Sequence, residues 1–272
     1  MSKTIPIALT IAGSDSGGGA GIQADLKTFS ALGVYGASVI TALTAQNTLG
    51  VTGIHDAPPE FITAQLDAVF SDLDIKAVKI GMVSRPAAIL SIVQALTRYS
   101  PQHVVLDPVM VATSGDRLLA PEAIELLRTR LIPRAGVITP NLPEAAVLLD
   151  TTIAKSEAEI EGQGRALLAL GCPAVLIKGG HGEGPESVDF LMTAASALRL
   201  PAPRSKTKNT HGTGCSLSSA IAAGLARGLA LETAVREAKA WVSAAIAAAD
   251  ELQVGKGHGP IHHFHALYER AC

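Results

Sequence analysis

The strongest constraint on the fold is a regular alternation between short apolar segments and longer stretches of helical spacing. The apolar segments are rich in Val and Ile and stop at a polar residue or a glycine. Val104–Leu106 stops at Asp107, and Ala174–Ile177 stops at Lys178. Between them, apolar residues recur with the spacing of an amphipathic helix. Strands that alternate with helices in this way predict an α/β fold with a mostly parallel central sheet and helices on both faces.

The individual elements follow from this pattern. Six strands are predicted at residues 5–12, 38–45, 77–80, 104–106, 137–139 and 174–177, with two further strands, 187–192 and 197–200, pairing antiparallel at one edge. Helices are predicted at residues 22–32, 59–72, 86–99, 121–131, 156–170, 214–226 and 231–249. We find no repeat and no linker, so residues 1–272 are expected to form a single domain.

Composition and charge exclude several classes of function. The chain has 22 basic and 24 acidic residues without a long run of either sign, so nucleic acid is not an expected partner. Its start lacks the apolar region of a signal peptide and no apolar run approaches about 20 residues, which predicts a cytoplasmic protein without a membrane partner. The three cysteines are too widely spaced to suggest a disulfide framework or a zinc site, and Cys172 is expected to be a packing residue.

Polar and glycine residues at the strand ends mark the expected site. Ligands of parallel α/β sheets bind beyond the carboxyl ends of the strands. Several residues are expected to gather there: Gly13, Gln46, Met82, Asp107, Asn141, Glu144 and Lys178.

Residues 209–219 combine glycines, hydroxyls and one thiol with the start of a predicted helix. Backbone amides at a helix start can hold an anion, and the helix dipole favours a thiolate at Cys215. A glycine turn that leads into a helix with a packed cysteine is the alternative. The glycine loop 13–21 matches neither the P-loop nor the dinucleotide fingerprint, so it is either a tight turn or a backbone wall for a ligand, with Asp25 one turn into the next helix.

The C-terminal part has two polar features, a lysine on its last predicted helix and a cluster of histidines. The predicted helix 231–249 has an apolar stripe assigned to the core, and Lys239 lies off that stripe, where most lysines are solvated. Residues 255–265 contain three histidines within four positions. No carboxylate or cysteine stands nearby, so we expect a mobile polar segment rather than a metal site.

Six segments, taken together, resemble the hydroxymethylpyrimidine/phosphomethylpyrimidine kinases of thiamine biosynthesis, within the ribokinase superfamily. The segments are 12–25 (AGSDSGGGAGIQAD), 44–48 (TAQNT), 79–82 (KIGM), 106–110 (LDPVM), 139–144 (TPNLPE) and 210–215 (THGTGC). The resemblance implies a ribokinase-like fold and a cytoplasmic homodimer. It also implies a kinase that uses ATP and Mg²⁺ to phosphorylate 4-amino-5-hydroxymethyl-2-methylpyrimidine and then its monophosphate.

The resemblance also implies roles for individual residues. The pyrimidine pocket would be formed by Gly13, Asp25, Gln46, Met82 and Val109. ATP would be bound by Asn141, Lys178, Thr210 and Lys239, and Mg²⁺ by Asp107 and Glu144. The transferring phosphoryl group would be held by the amides of Gly212, Thr213 and Gly214, with Cys215 as the base.

Three other functions are alternatives to this kinase activity. A pyridoxal or pyridoxine kinase on the same scaffold is the nearest, because that substrate is also a flat ring with a hydroxymethyl group. An NAD-dependent oxidoreductase is disfavoured by the absent fingerprint and by Gln46, which stands where an acidic residue is needed. A ligand-binding regulator without turnover is disfavoured because the candidate catalytic residues are present. Segments 110–119 and 179–187 are candidates for loops that close over the site.

Overall fold

A computed structural model describes residues 4–110, 121–180 and 184–268. Over these residues the strands are β1 (Ile7–Ala12), β2 (Tyr35–Ile40), β3 (Ala42–Asn47), β4 (Gly50–Asp56), β5 (Ile75–Ile80), β6 (Val104–Leu106), β7 (Val137–Ile138), β8 (Ala174–Ile177), β9 (Glu186–Thr193) and β10 (Ala197–Pro203). The α-helices are α1 (Gly21–Ala31), α2 (Pro59–Asp72), α3 (Pro86–Tyr99), α4 (Pro121–Leu126), α5 (Leu142–Leu149), α6 (Glu157–Leu168), α7 (Thr213–Ala226) and α8 (Leu231–Ala247).

The predicted α/β architecture is confirmed. The central sheet has the order β10-β9-β8-β7-β6-β5-β1-β2. Six strands of this sheet pair in parallel, in the order β2, β1, β5, β6, β7 and β8. Strands β9 and β10 form the expected antiparallel edge. The carboxyl ends of the parallel strands therefore lie along one edge of the sheet, where the polar residues follow them.

Helices cover both faces of the sheet because successive strand residues point to opposite sides. Ala8 and Val105 belong to a core shared with α1, α7 and α8, whereas Leu9 and Leu106 belong to a core shared with α2 to α6. Cys172 is buried, as expected of a packing residue. Within the described ranges, no helix is both long enough and apolar enough to cross a membrane.

The predicted strand 38–45 is wrong as one element. The chain leaves the central sheet at Thr41, whose amide bonds to the carbonyl of Ala12, and residues 42–56 form a separate hairpin of β3 and β4. Strand β4 was not predicted, because most of its residues are exposed and two are glycines, so it lacks the apolar pattern of a buried strand. This hairpin lies over the glycine loop, since the amide of Ser14 donates to the carbonyl of Ala42.

Other elements also differ from expectation. The predicted helix 121–131 stops at Leu126 and continues as a π-helical turn, Leu127–Leu131. Helix α5 was not predicted, because it has only eight residues. At the start of α2, Phe61 is exposed and Ile62 is fully buried.

Candidate active site

One cavity of about 680 Å³ opens at the carboxyl edge of the parallel strands. The wall includes most of the expected site residues: Gly13, Gln46, Met82, Asp107, Val109, Asn141, Glu144, Lys178, Thr210, Gly212, Thr213, Gly214, Cys215 and Lys239. Asp25 is the one expected site residue that does not contribute to this wall. Residues that follow different strands thus line one cavity, because parallel strands present all their carboxyl ends at one edge of the sheet.

Asp15 organises the glycine loop 13–21. Its carboxylate accepts hydrogen bonds from the backbone amides of Gly17, Gly19 and Ala20, at 2.8 to 3.0 Å. The ring of His211 lies 2.8 Å from the same carboxylate. Burial alone would raise the pKa of Asp15, but His211 and these amides hold it below its usual value. The loop is thereby joined to the segment that precedes α7, and sequence analysis missed both of these side chains.

Helix α7 begins at a tightly packed glycine. Gly212 has φ of 79°, a conformation that favours glycine, and a Cβ there would overlap the carbonyl of Gly19. The amides that follow open the helix and line the cavity with Cys215. Amides at a helix start carry a partial positive charge and suit an anion.

Cys215 departs from the expected thiolate. Burial raises its pKa to about 11, the carboxylates of Asp25 and Asp107 add to the rise, and the ammonium of Lys79 opposes it. The helix dipole at α7 is therefore outweighed by loss of solvent and by nearby negative charge. Near neutral pH the group that faces the cavity is a thiol.

Asp25, expected in the ring pocket, lies behind the cavity wall. It is fully buried and accepts hydrogen bonds from Thr10, Ser219 and, through both oxygens, Lys79. Burial opposes the charged form of Lys79, but Asp25 holds the pKa of this ammonium above its ordinary value. Lys79, which sequence analysis did not single out, is the member of this pair that contributes to the cavity wall.

Asp107 and Lys178 form the charged centre of the cavity. Lys178 Nζ lies 2.7 Å from Asp107 Oδ1 and 3.9 Å from Glu144 Oε2. Thr139 and Ser218 also donate to Asp107. Despite its burial, Asp107 keeps a pKa below the usual value, first because of Lys178 and then because of Lys79. The carboxylate of Asp107 is therefore ionised in this structure.

Glu144 is held by the start of α5. Its carboxylate accepts from the amide of Asn141, whose own side chain accepts from the amide of Glu144, so the two form a capping box. Burial, together with the charge of Asp107, raises the pKa of Glu144 to about 7 against the opposing effect of Lys178. Two buried carboxylates thus face one ammonium.

This donor set fits Mg²⁺. The ion prefers hard oxygen ligands and usually takes one or two carboxylates, with water and substrate phosphates completing its shell. Asp107 and Glu144 supply two carboxylates at the cavity wall. Among the described residues, no group of three or more metal-binding side chains occurs, the C-terminal histidines included.

The two ends of the cavity differ in character. At one end, Thr44, Gln46 and Val51 of the hairpin face Met82 and Val109, which gives apolar walls and one amide. At the other end, the apolar side chains lining the cavity come from α7 and α8: Leu217, Val242 and Ile246.

Lys239 belongs to this second end, so its expected solvation is wrong. The Lys239 side chain is 13% exposed, and its Nζ lies 2.7 Å from Asp189 Oδ2. Asp189 also accepts from the amide of Gly179, just after β8. Sequence analysis missed Asp189 because antiparallel pairing of β9 brings it to this edge, and no local signal marks it.

The segment beyond α8 packs against the rest of the protein rather than extending as a free polar tail. His262 and His263 are buried, and His263 Nε2 lies 2.9 Å from the hydroxyl of Ser216. The two candidate closing loops are segments 110–119 and 179–187. Residues 111–119 of the first and 181–183 of the second lie outside the described residues.

Comparison with known proteins gives consistent matches over nearly the whole chain. A family model described as phosphomethylpyrimidine kinase matches residues 15–262. The hydroxymethylpyrimidine/phosphomethylpyrimidine kinase of Rhizobium meliloti (strain 1021) is 61% identical over 263 residues, which cover 97% of this chain and 98% of the relative.

Two solved structures are similar in fold and in sequence. Phosphomethylpyrimidine kinase from Clostridium difficile 630 is 48% identical with a TM-score of 0.79, covering 89% of this chain and 100% of that one. An ADP complex of Bacillus subtilis pyridoxal kinase is 35% identical with a TM-score of 0.89, covering 96% of this chain and 98% of that one.

Proposed function

The chain belongs to the phosphomethylpyrimidine kinase family, and we propose that it phosphorylates 4-amino-5-hydroxymethyl-2-methylpyrimidine and then the resulting monophosphate, with ATP as donor, for thiamine biosynthesis. The observation that carries this proposal is a single cavity whose wall combines an apolar pocket with a charged helix start. An amide with apolar walls lies at one end, and a helix start with a lysine and two carboxylates lies beside it. Such a cavity can hold a flat polar ring next to a phosphate chain.

The ring would bind beneath the hairpin. The side chain of Gln46 offers both a donor and an acceptor, which complements the amino group and ring nitrogen of an aminopyrimidine. Met82 and Val109 would contact the two faces of the ring, and Gly13 leaves space for the end of the Met82 side chain. In this arrangement the hydroxymethyl group points towards Cys215.

ATP would extend from the transfer site towards α8. Lys178 would neutralise phosphate oxygens, and Asn141, Thr210 and Lys239 would line the path of the nucleotide. Asp107 and Glu144 would hold Mg²⁺, which supplies charge neutralisation for the phosphates of ATP. The amides of Gly212, Thr213 and Gly214 would stabilise the charge on the transferring phosphoryl group.

The two steps make different demands on Cys215. The substrate alcohol must lose its proton as it attacks, and Cys215 would accept that proton in its thiolate form, which is the minor form near neutral pH. The monophosphate is already anionic, so it can attack without a strong base. Because the thiol of Cys215 is protonated near neutral pH, proton removal is the more demanding part of the first step.

Pyridoxal phosphorylation is the second candidate, favoured by the similarity to the Bacillus subtilis pyridoxal kinase. The decisive experiment measures ATP consumption with hydroxymethylpyrimidine, its monophosphate and pyridoxal side by side. We expect kcat/KM to be highest for the two pyrimidines. A higher kcat/KM for pyridoxal would replace this proposal with the second candidate.

Three further features belong to the proposal. Mg²⁺ as the metal, a homodimer as the assembly and the cytoplasm as the location are all expected from the family resemblance. The hairpin supports the homodimer, because Leu43 and Leu49 are apolar and largely exposed there. We also propose that residues 1–272 act as one domain, since the central sheet and the helices on both faces share continuous cores.

A further inference from the structure

The segment 255–263, which follows α8 and which the proposed reaction does not use, joins two parts of the cavity wall. We refer to it as the C-terminal strap. It begins beside the turn of the β3–β4 hairpin and ends beside the first turn of α7. Glycines alternate along its first half, at Gly255, Gly257 and Gly259.

The first attachment of the strap is to Thr48 at the hairpin turn. The amides of Lys256 and Gly257 donate to Thr48 Oγ1 at 3.2 and 3.1 Å, and the amide of His258 donates to the Thr48 carbonyl at 3.0 Å. A Cβ at Gly255 would overlap the Thr48 side chain, and one at Gly257 would overlap the Thr48 carbonyl. The glycines are therefore required for this close approach.

The second attachment is to the segment that carries the anion-binding amides. The amide of Gly259 donates to Asn209 Oδ1 at 3.0 Å, and the amide of His211 donates to the Gly259 carbonyl at 3.1 Å. At the end of the strap, His263 Nε2 lies 2.9 Å from Ser216 Oγ within the first turn of α7. Burial lowers the pKa of His263 to about 4, so its ring is neutral near pH 7 and this contact is an ordinary hydrogen bond.

The hairpin needs such support. Over the described residues, β3 and β4 pair only with each other, and a two-stranded ribbon is marginally stable by itself. At its base the hairpin is bonded to the glycine loop, since the amide of Ser14 donates to the carbonyl of Ala42. Near its tip, Ser16 exchanges hydrogen bonds with the backbone of Gln46, and Thr48 at the turn is bonded to the strap. Gln46 therefore lies between the base and the strap, and its own Nε2 is 3.4 Å from His211 Nε2.

We propose that the strap positions the reaction: by holding Thr48 it fixes the hairpin that carries Gln46 relative to the amides of Gly212 to Cys215. Thr48 is thus a positioning residue for the transfer step. The proposal rests on the proposed function for its effect on turnover. Displacement of reacting groups by about 1 Å costs on the order of 10²-fold in rate, so a loosened hairpin would reduce turnover without removing any group that touches substrate.

Three substitutions on the hairpin separate this role from simple stabilisation. Thr48→Val removes the hydroxyl acceptor with little change in shape, and Thr48→Ser keeps it. Thr52→Val is the matched control, because Thr52 Oγ1 donates to Ala45 within the hairpin and does so at an exposed site. Gly257→Ala is a second way to displace the strap, should Thr48→Val fail to fold.

Hydrogen exchange and kinetics are measured on the same full-length proteins. In Thr48→Val we expect faster amide exchange both in residues 42–56 and in residues 209–216, with kcat/KM for hydroxymethylpyrimidine reduced about tenfold or more. Thr48→Ser and Thr52→Val should match the wild type in both measurements.

Two results would overturn the strap proposal. One is faster exchange confined to residues 255–258, and the other is an equal loss of kcat/KM in Thr52→Val. Absence of wild-type turnover with the pyrimidine would count against the proposed function instead. In that case the exchange pattern would still decide whether the strap couples the hairpin to the start of α7.

Discussion

Cys215 is the residue whose environment bears most directly on the two chemical steps. Its pKa is raised to about 11, first by burial, so only the minor thiolate form present near neutral pH can accept a proton from the alcohol. We expect Cys215→Ala to lower the rate of the first phosphorylation by about 10²-fold or more, the scale of general base catalysis. The second phosphorylation should fall much less, because its nucleophile is already anionic.

The measurement is the single-turnover rate with hydroxymethylpyrimidine and with its monophosphate. Cys172→Ala is the control, because Cys172 is buried in the core away from the cavity. Equal losses for the two substrates in Cys215→Ala would contradict the base role.

The raised pKa of Glu144 predicts that the free energy of unfolding depends on pH. Its pKa is raised by burial to about 7 from a usual value of 4.5, so the folded state holds a proton that the unfolded state has lost between these values. The free energy of unfolding should therefore fall as pH rises from about 4.5 to 7, relative to Glu144→Gln. Below this window both states are protonated and the difference is constant.

Urea unfolding of both proteins at several pH values, without divalent ions, tests this prediction. Added Mg²⁺ should reduce the pH effect in the wild type, because an ionised Glu144 would then have a cation. A difference in stability between wild type and Glu144→Gln that stays flat across the window would refute the expected titration.

At the scale of elements, the start of α7 depends on one glycine. Gly212 and Gly228 flank the same helix and have similar φ values of 79° and 85°. A Cβ at Gly212 would overlap the Gly19 carbonyl, whereas a Cβ at Gly228 would meet nothing within 4 Å. The two positions therefore separate backbone strain from displacement of the glycine loop.

We expect Gly228→Ala to cost about 1–2 kcal/mol of stability through backbone strain and to leave kcat unchanged. Gly212→Ala should carry the same strain and also lower kcat about 10²-fold, because the amides that face the phosphoryl group shift. Thermal unfolding and steady-state kinetics of the two variants provide the comparison. Equal kcat values would mean that the position of the glycine loop does not matter for transfer.

At the scale of the whole molecule, the hairpin is the expected site of self-association. Leu43 is 51% exposed and Leu49 is 69% exposed. We expect sedimentation equilibrium to give twice the chain mass of 27.9 kDa, and Leu43→Lys to give the chain mass itself. Phe61→Lys, at an exposed apolar position on α2, should remain a dimer. A wild-type protein that sediments as a monomer would rule out the homodimer.

The sequence by itself determined the layers of the fold and the edge at which the site lies. Buried parallel strands are apolar over most of their length, so β6 and β8 were recognisable from a few residues, and the polar residue after each had to lie at the same edge. That is why Asp107 and Lys178 could be placed together from the sequence.

Only the tertiary structure decided what depends on contacts between distant segments. The pairing of Asp25 with Lys79 places Asp25 behind the cavity wall, and burial raises the pKa of Cys215 where its position at a helix start suggested a thiolate. The hairpin and the C-terminal strap were missed for the same reason. Their residues are largely polar or glycine, and what holds them in place is hydrogen bonding across some 200 residues of chain.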